Sequence, residues 1–307
     1  MSRALALSTA LLAACAHAGG SGAGLPEGLE DRRVEAVLAG GAGRAVLAVL
    51  PFDAGTGPAA NGSRPELRIA DLVTAGLARS GRVVLVERER MDKVFDEQRL
   101  KASGAVDDAS RAAEVGQLLG AEAVVAGAIS SATQETQDRF AYDLVRTEVR
   151  IDARAIDTTS GRLIVTESGS GVALAKVIRS ADGTLISGLK DPKDEFRKAA
   201  VVAAEELSRR LAHRFAVLGV VVKVSAAQVV CDLGRSHGLE VGDELVALRP
   251  GQRLVHPITK ALLGVEKQVL GRLRALQVET ASAVLEPLDG AQLRPGDLVV
   301  LGAGRAP

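Results

Sequence analysis

From Ile69 to Leu100 the chain reads IADLVTAGLARSGRVVLVERERMDKVFDEQRL. Apolar residues recur at helical spacing over Ile69–Arg79, which predicts a helix whose apolar face packs on a sheet. Ser80-Gly81 predicts the end of that helix, because glycine adopts the left-handed geometry of a helix end without strain. The β-branched run Arg82–Val86 predicts a short buried strand, and a second helix begins at Glu87. The stretch therefore predicts a helix–strand–helix unit of an α/β sheet.

Further segments extend this unit in both directions. Ala45–Leu50 is a continuous apolar run, typical of a strand that is buried on both faces. Ala109–Leu119 has helical periodicity, and Gly120–Gly127 leads into another apolar strand. The resulting order β-α-β-α-α-β predicts an α/β domain in which helices cover a mixed sheet, within a chain of overall α+β class.

A second pattern follows in the middle of the chain. Tyr142–Ile156 alternates apolar and polar residues, which predicts a long strand with one buried and one solvated face. Asp157–Gly161 has the composition of a turn, and Arg162–Thr166 returns as the hairpin partner. Ser168–Gly171 predicts a bend or a bulge, because it lacks the Gly-x-Ser-x-Gly pattern of a nucleophile turn. Asp194–Phe215 has apolar residues at helical spacing and closes this part of the chain.

These motifs carry a family resemblance. The pattern helix–Ser80-Gly81-Arg82–strand–Val86-Glu87-Arg88–helix resembles the CsgG family of bacterial envelope lipoproteins, which includes the curli production assembly/transport lipoprotein. The turn Asp157-Thr158-Thr159-Ser160-Gly161-Arg162 is similar to the same family, so that the resemblance covers residues from about 45 to about 215. It implies a non-enzymatic protein of cell-envelope assembly or curli-type secretion. Such a protein acts by binding protein partners in the envelope or by forming homo-oligomeric rings.

The chain from Val217 to Pro307 has a different sequence pattern. Short strands alternate with clusters of Gly, Pro, Asp and Ser, which predicts a small barrel-like β module. Gly238–Val246 and Gln292–Val300 echo each other, because each contains a Gly-Asp turn that leads into an apolar strand. With His256–Thr259 between them, the module resembles the C-terminal domain of the flagellar assembly protein FlgT. That resemblance implies a module that docks on a larger envelope assembly.

The first residues have the pattern of a secretory signal. A short basic start precedes the apolar segment Ala4–Leu12, which is far shorter than the ~20 residues of a membrane-spanning helix. Leu12-Ala13-Ala14-Cys15 resembles a lipobox, in which the cysteine is acylated and becomes the first residue of the mature protein. We expect a lipoprotein signal peptide within residues 1–18, lipidation at Cys15, and a flexible tether over residues 19–44. An ordinary signal peptide with a nearby cleavage site is the alternative.

The residue after Cys15 bears on the destination. It is Ala16, whereas an Asp retains lipoproteins at the inner membrane in some bacteria. By that resemblance we expect the protein at the outer membrane, lipid-anchored on its periplasmic side. Each acyl chain contributes about 0.8 kcal/mol per buried CH₂, so that several chains anchor a protein without a spanning helix.

The composition argues against several other classes of function. Lys and Arg (38) balance Asp and Glu (38), and the chain has no Trp and one Tyr, so that we expect no nucleic-acid partner. The four His residues are scattered, and no metal site, cofactor or catalytic set is predicted. Gly41–Arg44 precedes a strand and lacks a Gly-Lys-Ser/Thr ending, which indicates a linker and not a phosphate loop. Cys231 alternates with apolar neighbours, which is typical of a buried small side chain.

Two alternatives stay open at this point. A pore-forming subunit of a curli-type secretion channel would contribute two amphipathic hairpins with spanning strands of ~9–11 residues. Ser130–Asp138 is polar and short where the first hairpin would lie, and Val172–Leu189 fits the second better. However, Lys176 shares a face with the apolar residues of that hairpin, which is costly in lipid. The other alternative is a nucleotide-binding α/β enzyme. For the protein-binding role itself, we expect the exposed Arg88–Arg99 helix and the Val172–Leu189 hairpin to form the contacts.

Overall fold

The computed structural model describes residues 27–41, 43–53, 65–97, 109–139, 142–179, 185–187, 192–225, 228–260 and 262–302. The helices of these residues are α1 Glu27–Leu38, α2 Pro65–Ser80, α3 Arg88–Glu97, α4 Ala109–Leu119 and α5 Pro192–Arg214. The strands are β1 Ala45–Val49, β2 Val83–Leu85, β3 Ala123–Arg139, β4 Tyr142–Asp157, β5 Leu163–Arg179, β6 Leu185–Ser187, β7 Val217–Val224, β8 Val229–Cys231, β9 Glu244–Val255, β10 Leu262–Val278, β11 Ala283–Pro287 and β12 Leu298–Leu301. The chain is therefore of α+β class.

The first sheet has the strand order β2-β1-β3-β4-β5-β6. β1 lies parallel to β2 and to β3, whereas β3 to β6 are joined as antiparallel neighbours. A parallel pair needs a crossover connection, and α2 provides the one between β1 and β2. This helix ends before Gly81, whose φ of 68° is the left-handed value that the sequence predicts there. The helix–strand–helix unit is therefore confirmed, and α4 has the predicted bounds.

The alternation in β4 is confirmed as well. Val145, Thr147, Val149, Ile151 and Ala153 are buried, and the residues between them are partly or fully exposed. The buried row faces α5, which packs across β4 and β5. Val149, Ile151 and Ala153 belong to the same apolar core as Leu207 and Leu211 of α5. One face of the long hairpin is thus covered by a helix and the other faces solvent.

Strands β3 and β5 are longer than the sequence predicts. β3 does not end near Gly127 but continues to Arg139, where it pairs with Tyr142 of β4. The return strand does not end at Thr166 but continues without interruption to Arg179. The added part of β3 is polar and has no alternating pattern, so the sequence did not predict it. Backbone pairing with β4, and not a buried face, holds it in the sheet.

The bend predicted at Ser168–Gly171 is wrong. The register between β4 and β5 is unbroken there, and both glycines lie under α5. A Cβ at Gly169 would lie 2.1 Å from the carbonyl oxygen of Ala203, and one at Gly171 would lie 2.0 Å from that of Ala199. The glycines therefore serve close packing of the helix on the strand, a use of the missing side chain that local sequence does not reveal.

The second sheet is a closed barrel with the strand order β10-β11-β8-β7-β12-β9. The strands predicted from Val217 onward are present. The sequence pattern predicts strands over Glu244–Leu248 and Val269–Val278, and β9 and β10 extend further toward each other than these bounds. The two Gly-Asp turns have equivalent hydrogen bonds: Asp243 Oδ2 accepts from Glu240 N, and Asp297 Oδ2 accepts from Arg294 N, both at 2.8 Å. Cys231 is fully buried in the barrel core, as predicted.

The two sheets meet along a shared interface. Apolar residues of the barrel belong to the same core cluster as those of the first sheet and its helices: Leu218, Leu248, Val265, Leu298 and Val300. Arg82, which follows α2, is buried and donates to the carbonyl oxygens of Leu301 at 3.4 Å and Gly302 at 2.6 Å. The division of the chain at residues 216 and 217 stays a prediction.

Part of the segment expected to be a flexible tether, residues 19–44, is helical. Residues 27–38 are helical and not a flexible linker, because Val34 joins the shared core and Arg33 is 1% exposed. Arg33 donates to the carbonyl oxygen of Ala216, and its Nε lies 3.7 Å from Glu122 Oε2. The signal segment, Cys15 and the part of the tether before Glu27 lie outside the described residues. Among the described helices, none combines the length and the apolar character that crossing a membrane requires.

Candidate functional site

The first sheet leaves one edge of β3 open. β1 pairs with β3 over Ala123–Val125, and Asp53 forms a single further bridge with Ala128. From Ser130 to Arg139 β3 pairs with β4 on one side. Within the described part of the chain, no strand pairs with it on the other. Its side chains there are polar and exposed apart from the half-buried Ala132. Unpaired N–H and C=O groups along such an edge are a template for another strand.

The opposite edge, along β5, is closed at one place by side chains of α5. Glu206 Oε2 accepts a hydrogen bond from the backbone N–H of Ser170 at 2.6 Å, and Arg210 Nη1 donates to the carbonyl oxygen of Ser168 at 3.0 Å. Burial acts to raise the pKa of Glu206, but the hydrogen bonds from Ser170 and the charge of Arg210 outweigh it and lower that pKa. The carboxylate is therefore held ionised at the edge.

Beyond Ser170 no side chain of the described residues caps this edge in the same way. In an antiparallel pair every second residue points its backbone groups away from the partner, so those of Val172, Leu174 and Lys176 face the same side as Ser170. Within the described residues, only the short strand β6 pairs with this edge, at Ile178 and Arg179. The open segment is therefore Val172–Val177.

The side chains of this segment combine apolar and basic character. Val172, Leu174 and Ile178 are 41%, 61% and 39% exposed and lie on the face turned away from α5. The Lys176 ammonium lies on that face as well, 5.0 Å from the centre of the Tyr142 ring, within the range of a cation–π contact. The predicted apolar row with one lysine is confirmed. The turn expected at Ala181–Thr184 lies outside the described residues.

The rest of the outer face is charged. Arg146 pairs with Glu148 at 2.9 Å and Arg150 pairs with Asp152 at 3.2 Å, each pair spaced by two residues along β4. Burial acts to raise the pKa of Asp152, but hydrogen bonds from Ser168, Ser130 and Arg150 lower it overall. Exposed ion pairs of this kind contribute little to stability. They keep the rest of the face hydrophilic, so that the exposed apolar side chains of this face are those of the β5 row.

The predicted contact helix, α3, lies beside a small cleft. Met91 anchors it in the core, whereas Asp92 and Lys93 are exposed. The cleft between α2 and α3 has a volume of about 230 Å³ and is lined mostly by apolar or small residues. Arg88 forms an ion pair with Asp71 at its rim. Sites for small ligands usually enclose roughly 300–1,000 Å³, so this cleft is below the usual size of a nucleotide pocket. Gln98 and Arg99 lie outside the described residues.

The titratable groups show no convergent set in the part of the chain that the structure describes. No group of three or more His, Cys, Asp or Glu residues there could hold a metal ion. His213 and His237 lie near the junction of the sheets, where burial, and then the charges of Arg82 and Arg44 respectively, lower their pKa values. The third described histidine, His256, is in the β9–β10 turn. Cys15, the predicted lipidation site, lies outside the described residues.

A comparison with family models assigns the chain. The model described as curli production assembly/transport component CsgG matches residues 41–207, which is more than half of the chain. The chain belongs to the CsgG family. The match runs from the start of β1 into α5, so both open edges lie within the CsgG region. The resemblance of the barrel to the C-terminal domain of FlgT stays a prediction.

Solved structures of other proteins are similar over about half of this CsgG-family chain. The lipoprotein GNA1162 from Neisseria meningitidis is 18% identical, with 42% of this chain and 83% of that chain covered and a TM-score of 0.33. The C-terminal domain of LpoB from Escherichia coli is 19% identical, with coverages of 46% and 93% and a TM-score of 0.28. The PelC dodecamer from Paraburkholderia phytofirmans is 16% identical, with coverages of 56% and 87% and a TM-score of 0.29. No curated protein matches the chain.

The β3 edge is the part of the candidate site that sequence reasoning missed. Its segment Ser130–Arg139 has neither an apolar row nor turn residues. The β-branched Thr133 and Thr136 were the only local signals for a strand, and they are weak. What reveals the edge in this CsgG-family chain is the early end of β1, which leaves the far half of β3 without a neighbour.

Proposed function

We propose that this CsgG-family chain is a non-enzymatic, lipid-anchored protein of the outer membrane that faces the periplasm. In this proposal Cys15 carries the lipid, residues 45–216 form the CsgG-like domain, and residues 217–307 form a β module. The protein acts in envelope assembly or curli-type secretion by binding protein and forming rings. The single observation that carries the proposal is the pair of open edges on one sheet, Ser130–Arg139 of β3 and Val172–Val177 of β5.

Two open edges on the same sheet favour head-to-tail association. The β3 edge of one subunit can pair with the β5 edge of the next, since strand addition to a free edge satisfies backbone groups on both sides. A contact between two different surfaces of the same protein is heterologous, and it forms a ring where the rotation from one subunit to the next closes on itself. The open β5 edge presents six residues, enough for a strand of ordinary length.

The contrast along β5 supports the choice of edge. Glu206 and Arg210 cover the edge at Ser168 and Ser170, where a second strand would collide with them. From Val172 onward no described side chain takes this place, and the apolar row begins. A partner strand at Val172–Val177 would bury Leu174, which is otherwise 61% exposed.

The test combines location and size. The mature protein is extracted in detergent after labelling of cells with radioactive palmitate, and its mass is measured by sedimentation. We expect the label on the polypeptide, recovery with the outer membrane, and an oligomer of defined mass. The Leu174→Lys variant should sediment as a monomer, because the added charge opposes pairing at the edge. The matched control Leu163→Lys changes a leucine of similar exposure (59%) at the other end of β5 and should keep the oligomer.

Two results would contradict the proposal separately. Absence of label together with recovery in the cytosol would contradict both the lipid anchor and the location at the outer membrane. A protein that is monomeric at every concentration, an oligomer that survives Leu174→Lys, or one that Leu163→Lys dissociates equally would contradict the edge-to-edge ring.

A pore-forming channel subunit is the second candidate. The strands β3, β4 and β5 have 17, 16 and 17 residues, longer than the ~9–11 residues that cross a bilayer. The exposed row of Val172, Leu174 and Ile178 also favours contact with lipid. Lys176 in that row and the polar β3 segment weigh against it. Purified oligomers that conduct ions across planar bilayers would favour the channel, and rings that leave the conductance at baseline would favour the binding role.

A further inference from the structure

The β9–β10 hairpin extends beyond the barrel. β9 pairs with β12 only over Val246–Leu248, and β10 pairs with β11 only from Leu273 onward. Between these points the two strands pair with each other, as far as Val255 opposite Leu262. The outer part of this ribbon, residues 251–260 together with 262 and 263, is called the hairpin tip. A two-stranded ribbon has no core of its own, so that both of its faces meet solvent.

The hairpin tip carries large apolar side chains in that exposed position. Leu254 is 51% exposed and Val255 46%, although they are consecutive residues and point to opposite faces. Leu263 is 62% exposed, and Ile258, in the turn, is 84% exposed. A group of large exposed apolar side chains at one end of a hairpin is typical of a contact with a partner or a membrane.

The turn that presents Ile258 is ordered by hydrogen bonds. His256 Nδ1 accepts from the backbone N–H groups of Ile258 at 3.2 Å and Thr259 at 3.1 Å, and the carbonyl oxygen of His256 accepts from Lys260 N at 2.9 Å. Lys260 adopts a φ of 56°, which is uncommon for a residue other than glycine. Ile258 is thus held outward by the turn geometry.

The hairpin tip carries basic and no acidic side chains. Arg253, His256 and Lys260 lie between Gly251 and Leu263, although the whole chain has a net charge of zero. Arg253 is paired with Glu35 and His256 Nδ1 accepts two backbone hydrogen bonds, so Lys260 is the cation that the tip can present to an anionic surface. Apolar residues beside a basic one suit the boundary between headgroups and acyl chains of an anionic bilayer.

The hairpin also lies beside the start of the described chain. Arg253 pairs with Glu35 of α1 at 2.7 Å, and Val265, at the base of the hairpin, shares the apolar core with Val34. Glu27 begins α1, about two helical turns or 12 Å before Glu35. A link from Cys15 to Glu27 spans at most about 40 Å. An acyl chain on Cys15 would therefore keep the hairpin tip within reach of the same bilayer.

From this combination we propose that the hairpin tip is a membrane-contact element that inserts Ile258 and its apolar neighbours into the surface of an anionic bilayer. The part of the argument that concerns reach rests on the proposed lipidation of Cys15. The apolar tip, its ordered turn and its charge do not depend on it. Lipid anchor and hairpin would then form a two-point attachment that fixes the orientation of the body on the membrane.

The absence of tryptophan from the chain allows a direct test. Ile258→Trp introduces a single reporter into the mature-length chain (residues 15–307), which also carries Cys15→Ser so that no acyl chain contributes. We expect blue-shifted emission and quenching by brominated lipids with vesicles of phosphatidylethanolamine and phosphatidylglycerol, and neither change with pure phosphatidylcholine. Adding Lys260→Glu should weaken binding about tenfold or more, because it changes the charge of the tip by two units.

A matched reporter elsewhere on the barrel separates insertion from general adsorption. Val241→Trp replaces another apolar residue of high exposure (68%), outside the hairpin, and its emission should not change with anionic vesicles. Equal quenching at both positions, or no change at either, would overturn the proposal. A blue shift of Ile258→Trp that appears without vesicles and grows with protein concentration would identify a second copy as the partner and overturn it too. None of these outcomes depends on palmitate labelling, so this proposal and that of the anchor fail independently.

Discussion

Ser170 donates its backbone N–H to the Glu206 carboxylate at 2.6 Å, so a side chain of α5 occupies the hydrogen-bonding edge of β5. The next outward-facing residues along this edge, Val172 and Leu174, have no such cap from any described side chain, and their own side chains are exposed. One helix thus closes the first part of the edge and leaves the second part available. The boundary between the two parts lies within the region that matches the CsgG family.

The Glu206 cap should contribute measurably to stability. We expect Glu206→Ala to lower the free energy of unfolding by about 1 kcal/mol, because a charge-assisted hydrogen bond to a partly exposed carboxylate is lost. Its pKa is lowered in the folded protein, so the contribution is present above the pKa of the unfolded chain and is lost as the pH falls through the folded value. Urea unfolding at pH 7 and at about pH 3 measures both effects.

The neighbouring residue supplies the control for this prediction. Glu205 is mostly exposed, and its ion pair among the described residues is with the exposed Arg79, at 3.4 Å. Glu205→Ala should therefore have a smaller effect than Glu206→Ala at pH 7. Equal losses in the two variants would show that the cap at Ser170 contributes nothing specific.

Gly171 should not tolerate a side chain. A Cβ there would lie 2.0 Å from a backbone oxygen of α5, so Gly171→Ala forces the helix away from the sheet. We expect a loss of about 3 kcal/mol, at the upper end of overpacking effects. Gly251→Ala is the matched control in another strand, because the nearest atom there is the end of the flexible Glu266 side chain, at 2.8 Å. Thermal unfolding of both variants tests the difference, and a stable Gly171→Ala protein would contradict the packing described for α5.

Asp297 should link stability of the barrel to pH. Arg249 donates to both of its carboxylate oxygens, Nε to Oδ1 and Nη2 to Oδ2, each at 2.8 Å. Burial acts to raise the pKa of Asp297, but the hydrogen bonds from Arg249 and Arg294 N lower it overall. Its contribution is therefore full above the pKa of the unfolded chain and disappears as the pH falls through the folded pKa.

The variant Asp297→Asn should remove this dependence. We expect a loss of about 1–2 kcal/mol at pH 7 and a flatter stability profile between about pH 5 and pH 2, because the amide neither ionises nor pairs with both guanidinium nitrogens. Asp289, which pairs with Arg272, is more exposed than Asp297, so Asp289→Asn should give a smaller shift of the melting temperature. A parent protein and an Asp297→Asn variant with parallel pH profiles would contradict the prediction.

Cys231 should be unreactive in the folded protein. It is fully buried in the barrel, and burial raises the pKa of its thiol, which reduces the reactive thiolate. In a chain carrying Cys15→Ser it is the only cysteine. We expect iodoacetamide to label it at least about tenfold more slowly at pH 8 than in urea, as measured by mass spectrometry. Rapid labelling without denaturant would place the thiol at the surface.

Much of the fold was predictable because the pattern of single segments decides it. The periodicity of α2 and α4, the left-handed position at Gly81 and the alternation in β4 each depend on local residues, and each is confirmed. The buried Cys231 was predictable from alternation in the same way. In these cases the residues that form an element also carry its burial pattern.

The remaining features depend on contacts between distant segments. Gly169 and Gly171 look like bend residues until α5 is placed on them. Ser130–Arg139 looks like a loop, because only pairing with β4 makes it a strand. Helix α1 was missed because its charged sequence hides Arg33 and Val34, whose burial requires both sheets to be in place. The open edges, and with them the candidate site, follow from the lengths of neighbouring strands, which no single segment encodes.

Helix α1 has a mechanical consequence. Its Val34 lies in the core that the two sheets share, and its Arg33 is bonded to Ala216, the residue before β7. Tension applied to the chain before Glu27 would therefore act on the core between the two sheets and not on a peripheral loop. A partner that pulls on this protein while its front end is tethered would thus meet the resistance of the entire packed interior.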